Sequence, residues 1–422
     1  MKKKILLKLT ITIIIITIIK GQITLPIEKK NPEQNILDLL FSNEIVYKLN
    51  IGTPIQIIES KIDFSQPSFY ISSDSKNKKF NYEKSSSYKN LNKPIDTKYL
   101  PFNNGVLSSE SIKFVINDQE TLIPDFSFFN ANNQKENKNF YSSSIGFSIS
   151  NDEKNLISFF KEKNYIKKKF FYVNYFEHFV NNKQIGEIKI GETNKSYKKI
   201  YSENKENNLE WNIKIDKVTL NKKNLEIDSF NAYFDINIFG MFGTEELQRQ
   251  LNLNFFGQRI KNKTCIVDNF DSTKQYIYYY CVKDVDLENF HDIIFYNKNQ
   301  QFKFSYKDLF IKINDKYYFS IVYDNSNNKK FIFGEVFLKK YPMLFNLEDN
   351  SINFITSSSF SFWNVFNIIL IVILSILIVY VFLRITIRIL SRRVKSKQLK
   401  GINDFFINLD VAYDANNNKI TI

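Results

Sequence analysis

An uncharged apolar run near the carboxyl end constrains this chain more than any other feature. Phe360 to Leu383 contains no charged residue, and Ile368 to Phe382 is almost wholly isoleucine, valine and leucine. About 20 such residues are enough for a helix to span a bilayer. Trp363 and Tyr380 lie near the ends of the run, where amphipathic rings favour the membrane interface. The run therefore predicts a transmembrane helix over residues 360–383.

Basic side chains follow the apolar run directly: Arg384, Arg388, Arg392, Arg393, Lys395, Lys397 and Lys400. Basic residues beside a spanning helix stay on the cytosolic side of the membrane. A buried core helix is the alternative, but it does not explain this one-sided charge. We therefore expect the tail, residues 384–422, to be cytosolic and the body of the chain to be lumenal or extracellular.

The amino end resembles a secretory signal peptide. Lys2, Lys3 and Lys4 precede an apolar stretch from Ile5 to Ile19, and small or polar residues follow near Gly21. This order of a basic, an apolar and a small-residue region is typical of a cleaved leader. An uncleaved anchor is the alternative, but the stretch is shorter than most spanning helices. Residues 1–21 are thus predicted to be a signal peptide of a single-pass type I protein, in the secretory or endolysosomal pathway or at the cell surface.

The formal net charge of +14 does not indicate a nucleic-acid partner. The first 21 residues contain five lysines and no acid, and from Arg384 onward there are eight basic and three acidic residues, so the body carries only +4. The terminal charges are explained by membrane topology, and acidic lipid is a second partner for them.

The two cysteines, Cys265 and Cys281, lie in the body, which the topology places in an oxidising compartment. Such a pair is typical of a structural disulfide that closes a small loop. Two cysteines and the two histidines, His178 and His291, do not readily build a zinc site, so no metal is expected. Glycosylation acceptor patterns begin at Asn194 and at Asn262.

The body, about residues 22–358, has the pattern of a β-rich fold long enough for two lobes. Alternating apolar and polar residues predict strands at Ile45 to Ile51, Ile57 to Phe64, Ile112 to Ile116, Gly186 to Ile190, Tyr276 to Cys281 and Lys329 to Phe333. Two stretches favour helices, Asn155 to Lys163 and Thr244 to Asn252.

Motifs in the first half of the body follow each other in the order found in pepsin-like aspartic peptidases. The first segment, Val46 to Gln56, contains a strand that ends in Ile-Gly-Thr-Pro-x-Gln, and the second, Lys61 to Gln66, is the first Asp loop. Three further segments match in sequence order: Phe80 to Tyr88, Gly105 to Ile112 and Ser144 to Phe147. The second half repeats the scheme with Ala232 to Asn237, Phe331 to Leu338, Phe345–Asn346 and Asn350 to Phe354. The order of these motifs, from about Glu44 to Ile355, is the basis of the resemblance.

The resemblance implies an all-β, bilobal pepsin-like fold with a C-terminal transmembrane helix, in which residues 44–358 form the peptidase domain. Its lobes are expected at about 44–200 and 201–358. It also implies a disulfide between Cys265 and Cys281. The expected partners are a protein or peptide substrate and the membrane, with no cofactor, and the protein is expected to be a monomer.

The resemblance carries a catalytic role onto Asp63 and Asp235. Two carboxylates held close together share one proton, because both cannot ionise cheaply. The ionised member accepts a proton from water, and the protonated member polarises the scissile carbonyl. We expect the two to titrate as one coupled pair.

The residues after each aspartate depart from the family pattern. The hydroxyl-bearing Thr is replaced by Phe64 and Ile236, and the following Gly by Ser65 and Asn237. Loss of the hydroxyls predicts that the two loops are no longer held to each other by hydrogen bonds. The new side chains after them are expected to keep a backbone amide from approaching each carboxylate.

Two further positions differ from the family. The Ser or Thr that bonds the outer carboxylate oxygen is Gln66 in the first loop and Ile238 in the second. Tyr99 is the candidate flap tyrosine, one place away from the family register. Two functions are consistent with these departures: a membrane-anchored endopeptidase weakened by its altered loops, and an inactive pseudopeptidase that binds peptides or proteins. A purely structural or adhesive surface protein is a third hypothesis, for which the sequence has no positive feature.

Overall fold

A computed structural model describes residues 21–30, 40, 44–72, 80–94, 102–134, 143–149, 155–180, 184–191, 197–201, 209–269, 276–282, 285–298, 300–324, 330–355, 373–387 and 407. The chain divides into two compact units, Met1–Thr356 and Ser357–Ile422. The predicted signal peptide up to residue 20 lies outside the described residues, as do Tyr99 and Asn194.

The described part of the first unit consists mainly of β-strands. In chain order they are β1 Ile23–Lys29, β2 Ile45–Ile51, β3 Gln56–Asp63, β4 Tyr70–Ser72, β5 Lys89–Pro94, β6 Phe102–Ile116, β7 Gln119–Gln134, β8 Ser143–Gly146, β9 Phe170–Val180, β10 Gln184–Ile190, β11 Tyr197–Tyr201, β12 Asn212–Ile215, β13 Lys217–Leu220, β14 Lys223–Asn224, β15 Phe230–Phe234, β16 Met241–Gly243, β17 Cys265–Asn269, β18 Tyr276–Val282, β19 Ile293–Asn297, β20 Gln300–Phe304, β21 Phe310–Ile313, β22 Lys316–Phe319, β23 Ile321–Asp324, β24 Phe331–Phe333, β25 Met343–Asn346 and β26 Ser351–Ile355.

Short helices connect some of these strands. They are the α-helices Leu156–Glu162, Glu245–Leu251, Gly257–Lys261, Tyr306–Leu309 and Glu335–Lys340, the 3₁₀ turn Tyr82–Lys84 and the π-helical turn Asn252–Phe256. Asn155 and Thr244 cap the first two α-helices, since each side chain accepts a hydrogen bond from a backbone amide of the first turn. Both predicted helices are therefore confirmed, and each capping residue is the first residue of the predicted stretch.

Strands from both halves of the body join in one sheet. At one end of the 13-stranded sheet the order is β11-β26-β25-β9-β10-β1, so the last two strands of the body lie beside strands of the first half. Strand β25 pairs with β9 through Leu344 and Tyr172, and β26 pairs with β11. The predicted lobe boundary at residues 200 and 201 falls inside strand β11, which belongs to this shared sheet.

The first Asp loop lies within a crossed strand arrangement. Strand β3 runs parallel to β8, which brings Asp63 opposite Gly146. Strand β4 then pairs antiparallel with β8 and parallel with β7. The chain thus leaves β3 at Asp63 and returns on the other side of β8.

The second half repeats this arrangement strand for strand. Strand β15 runs parallel to β24, with Phe234 opposite Phe333. Strand β16 pairs antiparallel with β24 and parallel with β23. This duplication is the architecture expected of two lobes related by a pseudo-two-fold axis.

One large apolar core extends through both halves. Trp211, which is fully buried, donates a hydrogen bond from Nε1 to the carbonyl oxygen of Phe147 at 2.7 Å. Its ring also packs edge-on against Phe171 and Phe345, at centroid distances of 6.2 Å and 5.2 Å. A side chain near the start of the second lobe thereby contacts the strand return of the first.

Each predicted strand has a counterpart, although the strand predicted from Ile112 already begins at Phe102. Strand β2 has the predicted bounds, and the predicted strand at Ile57 is displaced by one residue at each end. A further strand precedes the predicted domain start at residue 44. Ile23–Lys29 lies between β10 and β2, with its isoleucine and leucine side chains fully buried, and so belongs to the sheet.

In the second unit the described residues 373–387 are helical, and their apolar side chains are exposed. Residues 360–372 of the predicted spanning helix lie outside the described part of the chain. Within the described residues, no helix has the length and hydropathy needed to cross a membrane.

Candidate active site

Asp63 is the last residue of strand β3, where it pairs with Gly146 of strand β8. Alternation along the strand sends Ile62 into the core, where it is fully buried, and turns Asp63 to the opposite face. Asp63 is 9% exposed. The carboxylate therefore sits at the carboxyl end of a buried strand, where the chain turns away.

Donors from its own loop hold the Asp63 carboxylate. Oδ1 accepts hydrogen bonds from the Ser65 amide at 2.8 Å and from the Ser65 hydroxyl at 2.6 Å. Oδ2 faces the Gln66 side-chain amide at 3.4 Å. These donors fix the orientation of the carboxylate within its loop.

The second loop binds its aspartate in the same way. Asp235 directly follows strand β15, and its Oδ1 accepts hydrogen bonds from the Asn237 amide at 2.8 Å and from Asn237 Nδ2 at 3.2 Å. The expectation that Ser65 and Asn237 keep the amides away is therefore wrong. Each side chain turns aside and adds a donor of its own.

The two loops are joined by Asn237. Its Nδ2 donates a hydrogen bond to the carbonyl oxygen of Ile62 at 2.8 Å, and its Oδ1 accepts one from the Ile45 amide at 3.1 Å. Ile62 directly precedes Asp63, so the asparagine of the second loop holds the backbone of the first. The prediction that the loops lose their mutual hydrogen bonds is also wrong, because an amide replaces the absent hydroxyls.

The two residues that replace threonine are core residues. Phe64 is 2% exposed, and its ring packs against Phe147, Phe171 and Phe345 at centroid distances of 6.2, 5.4 and 5.4 Å. Ile236 is fully buried in the same apolar core. Apolar packing thus fixes the backbone directly after each aspartate.

Two glycines hold the loops at close range. A Cβ atom at Gly146 would lie 2.4 Å from the carbonyl oxygen of Gln66, and one at Gly334 would lie 2.2 Å from that of Ile238. Gln66 and Ile238 each stand three residues after an aspartate. The equivalent close approach in both lobes supports the duplicated loop geometry.

Burial controls the electrostatics of Asp235. Enclosure raises the pKa of Asp235 above its ordinary value, while Lys61 and the Asn237 amide oppose the shift and Asp63 adds to it. Lys61 Nζ lies 3.8 Å from Asp63 Oδ2. Both carboxylates and one ammonium group therefore interact within a single site.

A buried ionic group lies behind Asp235. Glu335 is fully buried and pairs with Lys29 at 3.6 Å and Lys339 at 2.6 Å. The hydroxyl of Tyr175 is buried near these groups, and burial raises its pKa, with Glu335 and Asp235 adding to the shift. Glu335 takes the place of the Asp in the family's closing motif.

The remaining predicted site residues have separate outcomes. Cys265 and Cys281 form a disulfide, which confirms the predicted bond. Asn262 is exposed, and its Oδ1 accepts a hydrogen bond from Gln258. Within the described ranges, no group of three or more histidine, cysteine, aspartate or glutamate side chains is arranged to hold a metal ion.

The sequence patterns did not predict the roles of Asn237 and Lys61. Asn237 stands where the family has glycine, and nothing in its local sequence shows that it reaches Ile62. Lys61 did carry a signal, since it precedes Asp63 by two places on a strand and so shares its face.

The two lobes have matching Asp loops, and in each a glycine packs against the residue that stands three places after the aspartate. This arrangement defines a protein of the pepsin-like fold. The family model described as eukaryotic aspartyl protease matches residues 46–357, and the chain belongs to this family. Among solved structures, the crystal structure of basic 7S globulin from soybean is similar, with a TM-score of 0.59 and 11% sequence identity over 81% of this chain and 96% of that one. No curated protein matches this sequence.

Proposed function

We propose that this chain is a membrane-anchored aspartic-type endopeptidase in which Asp63 and Asp235 activate water against a peptide bond. The observation that carries the proposal is the equivalent amide contact in the two loops, 2.8 Å to Oδ1 in each. A carboxylate whose inner oxygen is fixed in this way presents its outer oxygen in a defined direction, as general acid–base catalysis requires.

The surroundings of the two carboxylates assign them different roles. Asp63, whose carboxylate accepts hydrogen bonds from Ser65 and lies 3.8 Å from Lys61, acts as the general base toward water. Burial raises the pKa of Asp235, so this group holds the shared proton and donates it toward the scissile carbonyl oxygen. Proton transfer of this kind contributes about 10²- to 10⁴-fold to a rate.

The anchoring part of the proposal rests on the sequence. The uncharged run from Phe360 to Leu383 is long enough to span a bilayer, and the basic residues from Arg384 onward favour a cytosolic tail. A type I orientation exposes Asn262 to glycosylation in the lumen. Expression in eukaryotic cells should give a glycan that endoglycosidase removes and that Asn262→Gln lacks; an unmodified wild-type Asn262 would argue against this orientation.

A binding module without catalysis is the second candidate, and one observation favours it. Oδ2 of Asp63, the oxygen available to water, faces both Gln66 Nε2 at 3.4 Å and Lys61 Nζ at 3.8 Å. Donors at this oxygen compete with a reacting water. A peptide would then lie across the two loops without being cut.

The test uses the full-length chain purified in detergent and a peptide library incubated between about pH 3 and pH 7. We expect cleavage at acid pH that Asp63→Asn and Asp235→Asn each reduce by about 10²-fold or more. Ser305→Ala, remote from both Asp loops in sequence, serves as the purification control and should retain activity. Peptide binding without cleavage by the folded wild-type chain would establish the binding module instead.

A further inference from the structure

Lys61 faces the carboxylate pair from the strand that carries Asp63. The two side chains are two residues apart on strand β3 and so share one face of the sheet. The Lys61 side chain is 20% exposed, and its Nζ lies 3.8 Å from Asp63 Oδ2. The ammonium group is therefore held at the site rather than extended into solvent.

The other charged groups near the pair are already matched. From the helix that follows β24, Glu335 faces the site through Tyr175, and it is compensated by Lys29 and Lys339. The second loop contributes the uncharged Asn237 amide. Lys61 adds a positive charge at the pair, 3.8 Å from Asp63 Oδ2.

We propose that Lys61 is a positioning residue that serves as the counter-ion of the Asp63 and Asp235 pair and confines its singly protonated form to more acid pH. This inference rests on the proposed function. Loss of the shared proton places two negative charges beside each other, and a nearby cation stabilises that doubly ionised state. The doubly ionised pair has no proton to donate to the scissile carbonyl, so Lys61 lowers the pH at which hydrolysis ends.

The pH profile of kcat/KM tests this role in the full-length chain. Lys61→Met removes the charge and keeps the length of the side chain, and it should move the alkaline limb upward by about 1 pH unit or more. Lys61→Arg keeps the charge and should leave the limb within about 0.3 unit of the wild type. Lys89→Met, which removes an exposed ammonium paired with Asp125, is the matched control and should not move it. An unmoved limb in Lys61→Met overturns the proposal.

A second measurement needs no catalysis. Asp235→Asn should raise the apparent Tm at pH 7 by more in the Lys61→Met background than in the wild-type background, because the buried carboxylate has then lost its counter-ion. If the Tm gain is larger in the Lys61→Met background but no peptide is cleaved, the peptidase proposal is refuted and the counter-ion role of Lys61 is supported. Cleavage by the wild type with equal Tm gains in both backgrounds would keep the peptidase and refute the counter-ion.

Discussion

Asn237 Nδ2 lies 2.8 Å from the carbonyl oxygen of Ile62, a contact between residues from opposite lobes. The same side chain accepts a hydrogen bond from the Ile45 amide at 3.1 Å. One amide group thus fixes the second loop to two strands of the first lobe, at a position where the family has a residue without a side chain.

Replacing Asn237 by alanine removes these contacts. We expect a loss of about 1–3 kcal/mol in unfolding free energy, since the Ile62 carbonyl and the Ile45 amide lose partners. Peptide cleavage should fall by about 10- to 100-fold, because the two carboxylates are no longer held in a fixed position relative to each other. Denaturant titration and kcat/KM measure the two effects.

Asn297→Ala is the matched control for that experiment. Asn297 Nδ2 donates to the carbonyl oxygen of Lys214 at 2.7 Å, also across a long sequence distance, but it lies in the four-stranded sheet. It should lose comparable stability and keep its activity once folded. Equal activity losses in both variants would show that Asn237 acts only through stability.

Asp235→Asn should stabilise the protein at neutral pH. Burial raises the pKa of Asp235 in the folded chain, so ionisation is harder there than in the unfolded chain. The contribution of Asp235 to stability is then complete below the ordinary Asp value of 3.8 and is lost as the pH rises through the folded value. Asparagine has no such decline, so the Tm difference should be small near pH 3 and positive at pH 7. A difference independent of pH would contradict this.

Alanine at Gly146 or at Gly334 should damage the fold to a similar degree. In each case the new Cβ would meet a carbonyl oxygen at 2.4 Å or 2.2 Å, which forces the Asp loop to shift. We expect a loss of about 3 kcal/mol or more. Ser148→Ala is a nearby control, since its buried hydroxyl has no hydrogen-bond partner among the described residues and its removal should be nearly neutral. Tolerance of either glycine substitution would count against the duplicated loop packing.

Replacing both Cys265 and Cys281 by serine should lower the unfolding free energy by about 3 kcal/mol, because the bond closes a short loop with a sequence separation of 16. The bond joins the opposed strands β17 and β18, so the peptidase site should remain intact in the folded variant. Calorimetry measures the stability change. An unchanged kcat/KM below the new Tm would show that the site is intact. An equal Tm for variant and wild type would contradict the prediction.

Local patterns predicted most of the scaffold. Strand β2 was located to the residue, and the two predicted helical stretches open at the residues that cap the helices, Asn155 and Thr244, because these patterns depend on neighbouring residues alone. Strand β1 was not predicted, because the strand that it pairs with, β10, lies far along the chain. The Asn237 contact was missed for the same reason: the partner that gives it meaning is a distant backbone carbonyl.

The pairing of Lys29 with Glu335 bears on how the chain is made. Strand β1 emerges early from the ribosome, but the carboxylate that compensates its buried ammonium group lies near the end of the body. Until residue 335 has left the exit tunnel, burying Lys29 would leave its ammonium group without this carboxylate. We therefore expect the first strand to complete this ion pair only late in folding, after the closing helix has been synthesised.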